Sequence, residues 1–118
     1  MREIKNAKIR STMLGVEDHG IFTFVLNLDY GGSGQGFGTF CLDEPLKKDG
    51  KFLGRVGTAV GMDAIMKVLD VIGVGSWEKL PGQVLRAESD MCQIYRIGHF
   101  MKDEWFDIKE HFKKWGVE

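Results

Sequence analysis

The ten residues "IFTFVLNLDY" at positions 21–30 alternate so regularly that they fit one backbone only. Phe22, Phe24, Leu26, Leu28 and Tyr30 fall on one side of an extended strand, and Thr23, Asn27 and Asp29 on the other. A strand of this kind buries one heavily aromatic face and has to find a neighbour. The neighbour follows directly. "GGSGQGFGTFCLD" carries glycine at 31, 32, 34, 36 and 38 and then returns as a second extended run, so residues 21–42 read as a long hairpin. If residues 34–42 are extended, Gly34, Gly36 and Gly38 share a face opposite Gln35, Phe37 and Thr39, and leave a bare backbone groove. The simplest filling of such a groove is a helix or a bulky aromatic of the same chain. The functional filling is a nucleobase, ribose or phosphate met by backbone N–H groups.

The rest of the chain supplies the partners. Residues 3–16, with β-branched and apolar side chains among polar ones, predict an edge-tolerant strand closed by the "EDHG" turn that holds His19. Residues 43–56, with proline, glycine and clustered charge, read as a solvated loop. Residues 58–72 predict a helix with Met62, Ile65, Met66, Leu69 and Ile72 on its buried stripe, Asp63, Lys67 and Asp70 opposite, Thr58 as cap and Gly73 as stop. Ser76 caps one short turn before "PG". Residues 83–88 and 91–100 read as two more strands around a turn at Ser89 and Asp90. A last helix is expected from an Asp103 cap, with Glu104 in its first turn, Trp105, Ile108, Phe112 and Trp115 as its stripe, His111 on its polar side, and Gly116 as its stop. The expected architecture is therefore α+β, an antiparallel sheet of about five strands with two main amphipathic helices, in a single domain over residues 1–118.

Composition narrows the functional classes. A chain of 118 residues with 43% hydrophobic content is sized for one core, and a net charge of −1 disfavours a protein that coats nucleic acid through phosphate neutralisation. Cys41 and Cys92 lie far apart in apolar surroundings, which predicts two small buried side chains in a reducing compartment. No segment has the length of a signal peptide or a membrane span, so a cytoplasmic protein is expected.

The recognisable motifs fail one by one. The glycines alternate and lead into a strand, where a dinucleotide fingerprint would open a helix, and "GK" at Gly50 and Lys51 precedes Phe52 where a phosphate loop needs Ser or Thr. A calcium loop from Asp29 would put Phe40 where a glutamate belongs. His19, His99, His111 and the cysteines have no paired metal-ligand spacing, so neither a metal nor a cofactor is expected. "SWEK" formally matches an acyl-enzyme motif, but its partner motifs are missing. What remains is a set of binding residues. Arg86 and Arg96 sit in mid-strand, where a rigid guanidinium fork suits phosphate, and Arg55 adds charge before the first helix. Pairing with the chain's own acids is the competing reading of these arginines. The Trp105, Phe112 and Trp115 stripe is either core or a face for self-association.

The segments "STMLGVEDHGIFTF", "LDYGGSGQGFGTFCLD", "GTAVGMDAIMKVLDVIGVGSWEKLPG" and "IGHFMKDEWF" together resemble a family of small proteins encoded by bacteriophages and prophages, with "LDYGGSGQGFG" the most specific piece. The pattern is also similar to the phage proteins of the Thoeris anti-defence class, which are non-enzymatic oligomers that sequester cyclic nucleotide-type immune signals such as cyclised ADP-ribose. That resemblance implies a protein of the host-cell cytoplasm that binds a small anionic nucleotide-like ligand, works as a homo-oligomer and catalyses nothing. It transfers no ligand residue individually. On the chain's own chemistry, Arg86, Arg96 and Arg55 would grip phosphate, Gly34, Gly36 and Gly38 would allow close backbone approach, and Phe37, Phe40 or Trp77 would stack. The alternatives are a protein-interaction module acting on a host protein and a single-stranded nucleic-acid binder.

Overall fold

The computed structural model describes residues 1–17 and 20–117; His19 lies outside them. The chain runs β1 (Glu3–Val16), β2 (Phe22–Asp29), β3 (Gly34–Gly38), β4 (Asp43–Lys48), β5 (Lys51–Gly57), α1 (Ala59–Ile72), a 3₁₀ turn (Trp77–Lys79), β6 (Val84–Ser89), β7 (Ile94–Gly98), β8 (Trp105–Phe106) and α2 (Ile108–Lys114). It is a mixed α+β protein with antiparallel pairing throughout. The main sheet has six strands in the order β3-β2-β1-β6-β7-β8, and β4 with β5 forms a second sheet of two, so the expectation of about five strands was too low.

The bend in β1 organises the main sheet. Residues 3–8 of β1 pair with β6, residues 8–16 pair with β2, and the register slips by one residue between Ile9 and Ser11. A bulge of this kind bends a strand and swaps which alternate residues face inward. Ala7 and Ile9 are buried on one side of the slip, whereas beyond it Thr12 and Leu14 stand opposite the buried Leu26 and Phe24. The sheet consequently folds over on itself. β3 and β7, four places apart in strand order, touch, and Gln35 Nε2 donates to the Asp90 carbonyl across that seam at 2.8 Å. The space between the two halves is filled by Phe24, Leu26, Leu28, Phe37, Leu85, Ala87 and Ile97, closed by Ala64, Val68 and Val71 of α1, by Leu80, and by Ile108 of α2.

The local signals explain most element ends. Thr58 Oγ1 accepts from Gly61 N (2.9 Å) as N-cap of α1, and Gly73 ends it in the left-handed region at φ 92°. Four expectations fail.

First, α1 buries the stripe Val60, Ala64, Val68 and Val71, while Met62 and Met66 are 60% and 54% exposed. The helix is apolar on two opposite sides, and alanine and valine fit the close approach to the sheet better than methionine does.

Second, residues 43–57 form a hairpin. Asp49 (φ 53°) and Gly50 (φ 77°) supply the two left-handed positions of a primed turn, whose Asp-Gly pair is a strong hairpin signal. Third, α2 starts only after Asp107, which accepts from Glu110 N at 3.1 Å, because Trp105 and Phe106 first add a short strand to β7. His111 is then buried, with its Nε2 3.1 Å from the Val60 carbonyl oxygen. Fourth, Cys41 and Cys92 are both exposed free thiols.

The glycines of β3 differ in what the fold demands of them. A Cβ at Gly38 would lie 2.0 Å from the Phe24 carbonyl oxygen, and its φ of 145° is itself unfavourable for other residues. At Gly36 the nearest atoms would be at 3.7 and 3.8 Å, which is ordinary contact. Gly38→Ala should therefore destabilise the protein by about 1–3 kcal/mol, whereas Gly36→Ala should change stability by less than about 1 kcal/mol. Urea unfolding of the two variants checks the contrast.

Candidate functional site

The four groups of residues singled out in the sequence end up in four different places. Arg86 and Arg96 come together. The register pairs Arg86 with Gly98 and Glu88 with Arg96, and Gly98 in turn pairs with Trp105, so alternation puts all five on the outer face of the β6-β7-β8 half of the sheet. Gly98 is required there, because a Cβ would sit 2.6 Å from the Trp105 ring. With no side chain at 98, the indole lies against the backbone of β7, and both guanidinium groups stack on it, Arg96 at 4.1 Å and Arg86 at 4.7 Å from the ring centre.

Each arginine is fixed along one edge. Arg86 Nε donates to the His99 carbonyl (2.8 Å) and Nη2 to the Lys102 carbonyl (2.7 Å). Those carbonyls belong to a tight turn that His99 itself holds, its Nδ1 accepting from Met101 N (2.9 Å) and Lys102 N (3.0 Å). Arg96 donates through Nε (3.1 Å) and Nη2 (3.0 Å) to Glu88 Oε1, while Arg2 takes the other oxygen of Glu88 at 3.2 Å. Among the described residues, Nη1 of Arg86 and Nη1 of Arg96 have no partner, so two preoriented donors remain beside one indole. Trp105 and Arg96 also border a cleft of about 510 Å³, lined further by Asp63 and Lys67 of α1 and by His111 and Trp115 near α2.

The glycines lie elsewhere. Gly34 and Gly36 pair with Asp29 and Asn27 on the outer face of the other half of the sheet. They floor a shallow hollow of about 780 Å³ walled by Arg10, Asn27 and Asp29, and the Arg10 guanidinium is 3.7 Å from the Asp29 carboxylate. Because the two halves close over the core, their outer faces diverge, and two strands separate Gly36 on β3 from Arg86 on β6 in the order of the sheet.

Arg55 is on the β4–β5 arm, where Nε and Nη2 clasp Asp43 at 2.8 and 3.0 Å. Phe37 is in the core at 2% exposure, Phe40 packs on Phe37 and Phe112, and Trp77 is edge-on to Phe24 with its Nε1 donating to Thr12. None of these aromatics shares a surface with Arg86 and Arg96. The aromatic that does is Trp105, which the helical reading of residues 103–115 hid. Its signal in the sequence was "WF" separated from "RIG" by six residues, a length that allows a reversal back onto the same strand.

Among the described residues, no three His, Cys, Asp or Glu side chains gather as a metal site, and no helix is long and apolar enough to cross a membrane. No protein-family model, curated protein or solved structure matches the chain.

The Asp43–Arg55 pair carries a pH signature. Hydrogen bonds from Arg55 hold the Asp43 carboxyl down from its usual 3.8 to about 2. A depressed carboxylate contributes stability above its ordinary pKa and loses it as pH falls toward the folded value. The clasp at the base of the arm should therefore persist through pH 3.8 and open only near pH 2. A carbon-detected NMR titration of Asp43 should show a midpoint near 2 in the wild type and a return toward 3.8 in Arg55→Ala.

Proposed function

We propose that the protein is a phage-encoded, non-enzymatic binding protein that sequesters a small nucleotide-like signalling molecule, in keeping with the anti-defence proteins its sequence resembles. The observation that carries the binding reading is the stack of Arg86 and Arg96 on Trp105, each arginine tethered along one edge with Nη1 left over. A phosphate or pyrophosphate accepts from two such donors, and neither arginine needs reordering to meet it. The adjoining cleft is of mixed charge, with Lys67 and Lys114 set among Asp63, Asp107 and Glu110, and the indoles of Trp105 and Trp115 are surfaces against which a base stacks.

In this reading the ligand sits at Arg86, Arg96 and the cleft. Arg55 stays on the arm with Asp43, and Phe37, Phe40 and Trp77 serve the core. His111 Nε2 donates to the Val60 backbone carbonyl, a structural engagement that suits retention of a ligand better than turnover.

The test is ligand recovery. Protein exposed to lysate of cells expressing TIR-domain or nucleotide-cyclase enzymes is washed and heat-denatured, and the released material is identified by mass spectrometry. A released nucleotide is expected, with recovery reduced about ten- to a hundredfold in Arg96→Ala, the range for losing a hydrogen bond to a charged group. An empty wild-type protein across those lysates contradicts the proposal.

A further inference from the structure

The β4–β5 arm pairs only with itself, and its surface is not that of a solvated ribbon. Leu46, Phe52, Leu53 and Val56 are 45%, 61%, 57% and 40% exposed. Alternation puts Glu44, Leu46 and Lys48 of β4 on one face, and the register adds Val56 opposite Glu44 and Lys51 opposite Lys48, with Leu53 on the same side as Lys51. One face of the arm is therefore an apolar patch of Leu46, Leu53 and Val56 that ends in two lysines directly opposed across the strands. A like-charge pair in that position destabilises a ribbon, and a lone two-stranded ribbon is marginal in water to begin with. Among the described residues, no carboxylate lies within ion-pair distance of Lys47, Lys48 or Lys51. The arm lacks an apolar cover and an acidic partner at its tip.

A complementary surface exists on the same molecule. The outer side of α1 presents Met62 and Met66, flanked by the half-buried Ile65 and Leu69, and along one rim of this stripe run Asp63 and Asp70. Apolar surface met by apolar surface, with lysines facing aspartates at the edge, is the ordinary anatomy of a specific interface. The lengths agree as well. The seven residues of β5 extend about 23 Å, and the fourteen residues of α1 about 21 Å. A charge-led tip with its apolar patch set behind is the wrong polarity for insertion into a lipid bilayer, and the Leu46, Leu53 and Val56 face carries no ring for a base to stack on, since Phe52 lies with Lys47 on the opposite face.

We infer that the β4–β5 arm docks on the outer face of α1 of a second copy of this chain, with Leu46, Leu53 and Val56 covering Met62 and Met66, and Lys48 and Lys51 meeting Asp63 and Asp70. Reciprocal docking of two arms closes a two-fold dimer. Asp63 also lines the cleft beside Trp105 and Arg96, so the arm's tip reaches the rim of that cleft, and association of the ligand-free protein is the readout that separates this inference from the ligand reading. The interface differs from the Trp105, Phe112 and Trp115 stripe that the sequence first suggests for self-association.

Sedimentation velocity of the full chain over the micromolar range tests it. The wild type should associate, and Leu53→Asp and Met66→Asp should each weaken association at least about tenfold. The Lys48→Glu, Lys51→Glu double variant should be a monomer, and association should return when it is combined with Asp63→Lys and Asp70→Lys in the same chain. Leu53, Met66, Lys48, Lys51 and Asp70 are exposed, so urea midpoints close to wild type are the expected check on folding for their variants. Asp63 is half-buried with its carboxylate 3.9 Å from His111 Nε2, so Asp70→Lys alone is the rescue to compare where Asp63→Lys lowers the midpoint. A strictly monomeric wild type overturns the inference. So does an oligomer indifferent to substitutions in the arm and in α1, or a charge reversal that the compensating reversal fails to rescue.

Discussion

The one-residue slip in β1 is the constraint on which the rest of the structure depends. A fourteen-residue strand that stayed straight would lie in the middle of a flat sheet with one face to cover, and two helices of fourteen and seven residues would have to cover all of it. The bulge between Ile9 and Ser11 lets the first half of β1 serve β6 and the second half serve β2. Each half of the sheet thereby becomes part of the other's cover. Phe24, Leu26 and Phe37 from one side meet Leu85 and Ile97 from the other, and the seam is fastened where Gln35 reaches the Asp90 carbonyl. A small protein gains buried area this way without lengthening its chain.

The same bend decides what the outer surface can bind. Closing the halves inward turns their outer faces apart, so a glycine-floored hollow beside Arg10 and an arginine-tryptophan stack on β6, β7 and β8 cannot embrace one small ligand. The glycine run reads first as a single bare groove, yet its members answer to different demands. Gly38 is fixed by the carbonyl of Phe24, and Gly36 meets no such obstacle. On the other half, Gly98 has a definite task, since its missing side chain is the space in which Trp105 lies and on which both arginines are ordered.

Much of the fold was legible in the sequence, and what was not has physical reasons. Strict alternation at 22–29 and the Thr58 and Gly73 caps sit in strong, short-range signals and gave those elements within a residue. The buried side of α1 was misassigned because the helix is apolar on two opposite sides, and periodicity alone does not say which of two hydrophobic stripes meets the sheet. The arm was passed over because proline and clustered charge outweighed the Asp-Gly turn between its strands. Trp105 was placed on a helix because its spacing to Ile108, Phe112 and Trp115 fits 3.6 residues per turn, and only tertiary pairing with Gly98 removes it. Arg86 and Arg96 were found by residue type and position in mid-strand. Their common indole, which orders the two guanidinium groups side by side, is a contact between distant positions that no local pattern encodes.

The proposed ligand capture belongs to the Arg86–Arg96–Trp105 stack and not to the glycine hollow. The most direct measurement is an NMR titration of the isotope-labelled protein with ADP-ribose, following the Trp105 indole N–H and the Arg86 and Arg96 Nε–H signals together with the Gly34 and Gly36 amides. Saturable shifts at the indole and the guanidinium groups, with the glycine amides unmoved, are predicted. Shifts confined to residues 31–38, or a spectrum that does not change, would contradict it.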